Sequence, residues 1–140
     1  MSILSAEAAT AFDEITRNGE VDKLVKQDKD AWPNTFRSGQ LISAVEYLRA
    51  NRLRTLLIEQ MATLMDKVDV FVTPPYAGDV LMVTNLTGHP CVVLPNGFDQ
   101  KTPHTITFIG RLYAEADLLA VAKAFQDATD HHLQHPELET

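Results

Sequence analysis

At 140 residues the chain has the length of one ordinary domain, and with 45% hydrophobic residues it carries enough apolar mass for a real core. Its formal charge of -7, from 19 acidic against 12 basic residues, excludes a nucleic-acid surface formed by this chain alone, because such affinity rests on clustered Lys and Arg. Any RNA partner would be held by another subunit.

The predicted elements begin with a helix capped by Ser5, running through Ala8, Phe12 and Ile15 and stopped at Asn18-Gly19. Residues 20–30 are charge-rich with few apolar anchors and read as a solvated helix or loop. Trp32, Pro33 and Phe36 suggest an ordered loop, since proline ends helices and two aromatics can pin the chain. Residues 38–67 lack proline and carry leucines at helical spacing, which predicts one long helix. Its apolar stripe widens in the second half around Leu56, Leu57, Met61, Leu64 and Met65, so that half is expected to be enveloped. Near-continuous apolar runs follow at 68–73, 91–94 and 105–109. Runs without alternation predict strands buried on both faces, the habit of a mostly parallel sheet covered by helices. An amphipathic helix over about 114–133 closes the chain.

The lone cysteine, Cys91, falls inside an apolar strand pattern, which predicts a buried, inert thiol and a reducing, cytoplasmic setting. No run approaches the roughly 20 apolar residues of a membrane span. The expectation is one soluble domain over residues 1–140, with no membrane contact.

Two segments carry the most information. Asp69-Val70-Phe71-Val72-Thr73-Pro74 is followed by Asn85-Leu86-Thr87-Gly88-His89-Pro90, a short apolar strand, and Pro95-Asn96-Gly97-Phe98. Their order and spacing resemble the C-terminal part of the amidase signature family. Ser43, Glu46, Tyr47, Ala50 and Arg54 resemble that family's long helix, and Pro103, Phe108, Gly110, Glu115 and Leu118 resemble its closing strand and helix. The resemblance implies an α/β fold: the C-terminal portion of the amidase fold, with about three buried strands of a mixed sheet covered by helices.

The family cleaves the C–N bond of carboxamides with a Ser, cis-Ser, Lys triad and a glycine-rich oxyanion loop. None of the six glycines here adjoins another, and no two serines are adjacent. The signature loop is absent, so no catalytic residue is carried over. Lys67 and Ser38 lie near predicted helix ends, where surface and capping roles are the ordinary ones. The resemblance thus implies a scaffold segment, inactive alone, that meets a small amide substrate only together with the missing catalytic part. The alternatives are a non-catalytic binding or assembly module and a segment of the A subunit of a tRNA-dependent amidotransferase.

The substrate-pocket candidates are Tyr76, Asp79, Asn85 and Thr87. In the amidotransferase branch an Asp near the place of Asp79 holds the amino group of glutamine. Here Asp79 stands about one residue closer to Asn85, and the loop over 75–84 looks shorter than in the family. A solvated Asp after a turn glycine is the competing reading, and Asn85 and Thr87 equally suit a tight turn around Gly88. His131 and His135 lie four apart, but no third ligand stands at a recognisable spacing. No metal or cofactor is expected. A sheet cut from a larger fold leaves an edge and helix faces uncovered, so self-association is expected.

Overall fold

A computed structural model describes residues 2–75, 77–99 and 102–135. The chain divides into two compact units, Met1–Leu56 and Leu57–Thr140.

The first unit is helical. Helix α1 (Ser2–Ala11) is followed by α2 (Asp13–Arg17), a short 3-10 turn at Glu20–Lys23, α3 (Trp32–Gly39) and the start of α4 (Ala44–Met65). Ser5 lies inside α1 rather than capping it. Gly19 stops the segment as expected, with a left-handed φ of 81°. The loop expected around Trp32 is instead α3, because Pro33 sits in the first turn, where a helix needs no amide donor. Ala8, Val21 and Phe36 form the core of this unit, and Phe12 stacks on Phe36 at 4.6 Å between ring centroids. Helices α1 and α3 meet closely at Gly39, where an added Cβ would lie 2.3 Å from the Ser5 carbonyl oxygen. The predicted 38–67 helix therefore begins later, at Ala44. Its first turn is capped by Ser43, whose Oγ accepts from the Glu46 amide at 3.2 Å.

The second unit holds a three-stranded sheet, β1 (Val70–Thr73), β2 (Cys91–Asp99) and β3 (Thr102–Gly110), in the order β1-β3-β2. It also holds α5 (Val80–Thr87) and α6 (Glu115–Thr129). All pairings are antiparallel, which corrects the mostly parallel reading of the apolar runs. Chain economy explains it: Asp99 pairs with Thr102, and a connection of two residues can join only antiparallel strands.

The register assigns the two sheet faces. Phe71, Ile109 and Cys91 share one face, and there Ile109, fully buried, packs with Met61 and Met65 from the end of α4 and with Val80 and Val83 from α5. On the other face α6 covers β3, with Phe108 5.3 Å from Phe125 and an added Cβ at Gly110 only 3.0 Å from Leu118. Helices therefore cover both faces of the central strand, as the mixed α/β expectation required. The edge strands are less covered: Val72 and Val93 are more than half exposed. Envelopment of the second half of α4 is limited to the Met61 and Met65 side, with Leu56 and Leu64 outward.

β2 is an open edge. The Gly110 amide donates to the Pro90 carbonyl at 3.0 Å, so the alternation of an antiparallel ladder turns the backbone groups of Val92 and Leu94 toward β3 and those of Cys91 and Val93 outward. A bulge between Pro95 and Phe98, where Gly97 takes a left-handed φ of 100°, ends that regular stretch.

Candidate functional site

The segment from Thr73 to Pro90 was expected to be mostly loop and turn. It contains a helix instead. Gly78, with φ 53°, leads into Asp79, whose carbonyl accepts from the Val83 amide at 2.9 Å and so starts α5. Val80, Val83, Thr84 and Thr87 recur at the i, i+3, i+4, i+7 spacing of one helix face. That face is turned inward: the valines pack on the Met61–Met65 cluster and both threonines are buried. Gly88, left-handed at φ 81°, ends the helix and donates its amide to Thr84. The turn reading of Gly88 thus holds as a helix C-terminus.

The four pocket candidates do not converge. Tyr76 lies outside the described residues. Asp79 is exposed at the start of α5, and its side chain makes no capping bond. Asn85 is exposed on the outer side of α5, beside Leu81 and Met82. It sits about 200° around the axis from Thr87, at ~100° per residue. Thr87 is buried and committed: its hydroxyl donates to the Val83 carbonyl at 2.9 Å. That hydroxyl has one proton, so its 2.8 Å contact with His89 Nδ1 makes it the acceptor there. His89 is therefore the Nδ1–H tautomer, with Nε2 left as the acceptor.

His89 follows the end of α5 directly. It is 7% exposed, and burial lowers its pKa below the ordinary 6.5 by penalising the imidazolium. Its apolar neighbours Leu86, Pro90 and Val92 gave the only signal in sequence that this histidine would be enclosed.

The remaining titratable groups are arranged more loosely. Cys91 is exposed, against the expectation of a buried thiol, and lies at the start of an edge strand. Its Sγ lies 3.6 Å from the His89 carbonyl oxygen. His131 and His135 do not share a helical face, since α6 ends at Thr129 and His131–Leu133 forms a 3-10 turn. Among the described residues, no group of three or more His, Cys, Asp or Glu side chains is placed to hold a metal ion. Lys67 is exposed just past α4, and Ser38 donates to the Thr35 carbonyl at 3.3 Å on the surface of α3. A shallow, open depression lies beside α3, lined by Lys29, Asn34, Arg37 and Leu41 among others. Arg37 is already engaged there by Asn34 and by an ion pair with Asp22.

No protein-family model matches the chain. It is 36% identical over 111 residues to the A subunit of the glutamyl-tRNA(Gln) amidotransferase of Moorella thermoacetica, covering 66% of this chain and 23% of that protein. The corresponding protein of Legionella pneumophila is 31% identical over 109 residues, with 64% and 23% covered. Among solved structures, a bacterial aryl acylamidase of the amidase signature family superposes with a TM-score of 0.73 at 19% identity, over 91% of this chain and 32% of that one. The chain is a segment of the amidase signature fold. A second structure, from a vestigial protein complex tied to the origins of an s-triazine catabolic enzyme, superposes with a TM-score of 0.72 at 17% identity over 99% of this chain and 34% of its own. The segment spans about a quarter of the length of the curated relatives it matches. Among its described residues, no helix is long and apolar enough to cross a membrane.

Proposed function

We propose that this chain is scaffold and part of the substrate wall for an amidase-type hydrolase, and that it turns over no amide by itself. The observation that carries this reading is the asymmetry of the structural match. Nearly the whole segment superposes on an amidase, yet it accounts for only 32% of that chain. A Ser, cis-Ser, Lys mechanism needs its serines and lysine close in space beside a glycine-rich loop for its oxyanion, and this sequence has no Gly- and Ser-rich stretch to form that loop. In this reading Asp79 and Asn85, both with exposed side chains on or beside α5, meet the substrate, along with Tyr76. Thr87 acts indirectly, by holding His89 and the end of α5 in place.

The test is an assay in two stages. The purified chain, offered glutamine and simple anilides, is expected to release no product. Co-expression with the Moorella thermoacetica A subunit lacking its matching stretch is expected to restore turnover. An Asp79→Asn substitution in that assembly should then raise KM with little change in kcat. Turnover by the purified chain, surviving removal of host amidases, would overturn the reading.

Sequence identity favours a second reading, a segment of a tRNA-dependent amidotransferase A subunit, since the matched relatives carry that name. Against it, the 111 aligned positions take up only 66% of this 140-residue chain. The relative thus has extra residues within the matched stretch, which agrees with a shortened loop over residues 75–84. Restored glutaminase activity without anilide hydrolysis would decide for the amidotransferase.

We further infer that the isolated chain associates with itself through the open edge of β2. Cys91 and Val93 present four outward backbone groups there, and no charge guards the edge before Asp99.

A further inference from the structure

The two edges of the sheet differ in charge. β2 carries no Asp, Glu, Lys or Arg from Cys91 to Phe98, whereas β1, the opposite edge, has the Asp69–Arg111 ion pair at its start. Charges beside an edge strand discourage a second strand from adding to it, so β2 is the edge left receptive. Cys91 and Val93 each turn an N–H and a C=O away from β3. Pro95, next in that alternation, turns out a carbonyl and has no N–H to offer.

Those groups are complementary to a second copy of themselves in one register. Two copies related by a two-fold axis pair antiparallel with Cys91, Val92 or Val93 opposite its own counterpart. With the axis on Cys91, Val93 falls opposite His89, which lies outside the strand, and its outward groups go unused. An axis on Val93 sets Pro95 against Cys91, so the Cys91 carbonyl of each copy meets a pyrrolidine ring instead of a donor. Only an axis on Val92 places Cys91 opposite Val93 in both directions and uses every outward N–H and C=O of the two residues. It also sets the Val93 side chain, 56% exposed, beside the exposed Cys91 of the other copy on the same sheet face.

We propose that two copies of this chain join through β2 in that single register, Val92 on the axis, to make one continuous antiparallel sheet. The proposal rests on the β2 self-association inferred above and adds the arrangement of the partner; it is independent of the amidase reading. Its geometry is specific. Val92 and its counterpart form a non-hydrogen-bonded pair with Cα atoms about 4.5 Å apart, within reach of a disulfide. Cys91 and its counterpart stand about 9 Å apart, offset by two residues along the strands, and cannot be bridged.

The test uses the full chain in sedimentation, hydrogen exchange and mild oxidation. The native chain should sediment as a dimer at tens of micromolar. Exchange of the Cys91 and Val93 amides should slow about tenfold between dilute and concentrated protein, because pairing protects them by mass action. The Val70 and Val72 amides, the outward pair of β1 by the same alternation, should not respond. On oxidation, Cys91→Ser with Val92→Cys should cross-link, while the native thiol and Cys91→Ser with Val93→Cys should not. A monomer would sink self-association and this proposal together. A dimer cross-linked through Cys91, through position 93 or at several positions would overturn the register alone, and larger open polymers would mean that β1 pairs with β2. If the Val92→Cys variant fails to fold, exchange in the native chain decides: protection that appears at Val70 and Val72, or at neither edge, overturns the proposal.

Discussion

His89 shows how far burial alone can set the chemistry of a side chain. Enclosed beside Thr87, it is held neutral, with its pKa below the ordinary 6.5. Above that value both folded and unfolded chains carry it uncharged, so it adds no pH dependence. As pH falls through 6.5 the unfolded chain takes up the proton first, and the folded state loses stability. The urea midpoint is therefore expected to drop between pH 7 and pH 5.5, and His89→Gln should flatten that part of the profile. An unchanged slope in the variant would remove His89 as the cause. At Gly39 the constraint is space. A methyl group would collide with the Ser5 carbonyl, so Gly39→Ala is expected to cost about 1–3 kcal/mol, seen as a melting temperature lower by several degrees. Residues of this kind divide by legibility. Gly19 and Gly88 announced their left-handed turns by type and neighbours. The Thr87–His89 contact did not, because a hydrogen bond between buried side chains depends on where α5 lies over the sheet.

Among elements, the strands and the two long helices were readable from period and composition, while α3 and α5 were not. Pro33 reads in sequence as a helix terminator within an ordered loop and in the structure begins a helix, since proline suits the first turn as well as it disfavours the middle. Residues 80–87 show a clear inward face only when taken as a helix. Read beside glycines and prolines, the same residues resembled a turn. Strand direction was misjudged for a related reason: apolar runs report burial, and both parallel and antiparallel central strands can be buried. Two predictions belong at this scale. Ser43→Ala removes the bond to the Glu46 amide and should cost about 1 kcal/mol, measured by chemical unfolding. Val93→Pro removes one outward amide from the β2 edge and no bond to β3. It should shift the sedimentation profile toward monomer while circular dichroism stays native, and an unmoved profile would place self-association elsewhere.

For the whole molecule, the decisive quantity is how little of the fold the segment represents. The matched structures contain it almost entirely and are about three times as long. Under the scaffold reading proposed above, the outward leucines of α4, the edge of β2 and the exposed thiol of Cys91 are the surfaces a larger fold would cover. A chain of this kind is expected to gain stability when its complement is supplied, because burial of those surfaces adds free energy that the isolated segment lacks. Co-purification with the complementary A-subunit portion should therefore raise its melting temperature, and an unchanged value would mean that the exposed faces are not interface.

What the sequence determined by itself was local or compositional: which residues favour helix or strand, where glycine ends a turn, which fold family the ordered motifs resemble, and that no adjacent serines or glycine-rich loop are present. Those properties survive in any arrangement of the chain. The tertiary structure decided which apolar residues are covered, that the sheet runs antiparallel, that Thr87 serves His89, and that Asp79 and Asn85 face solvent. Such outcomes depend on contacts between residues distant in sequence, and no local pattern encodes which of several apolar faces finds a partner.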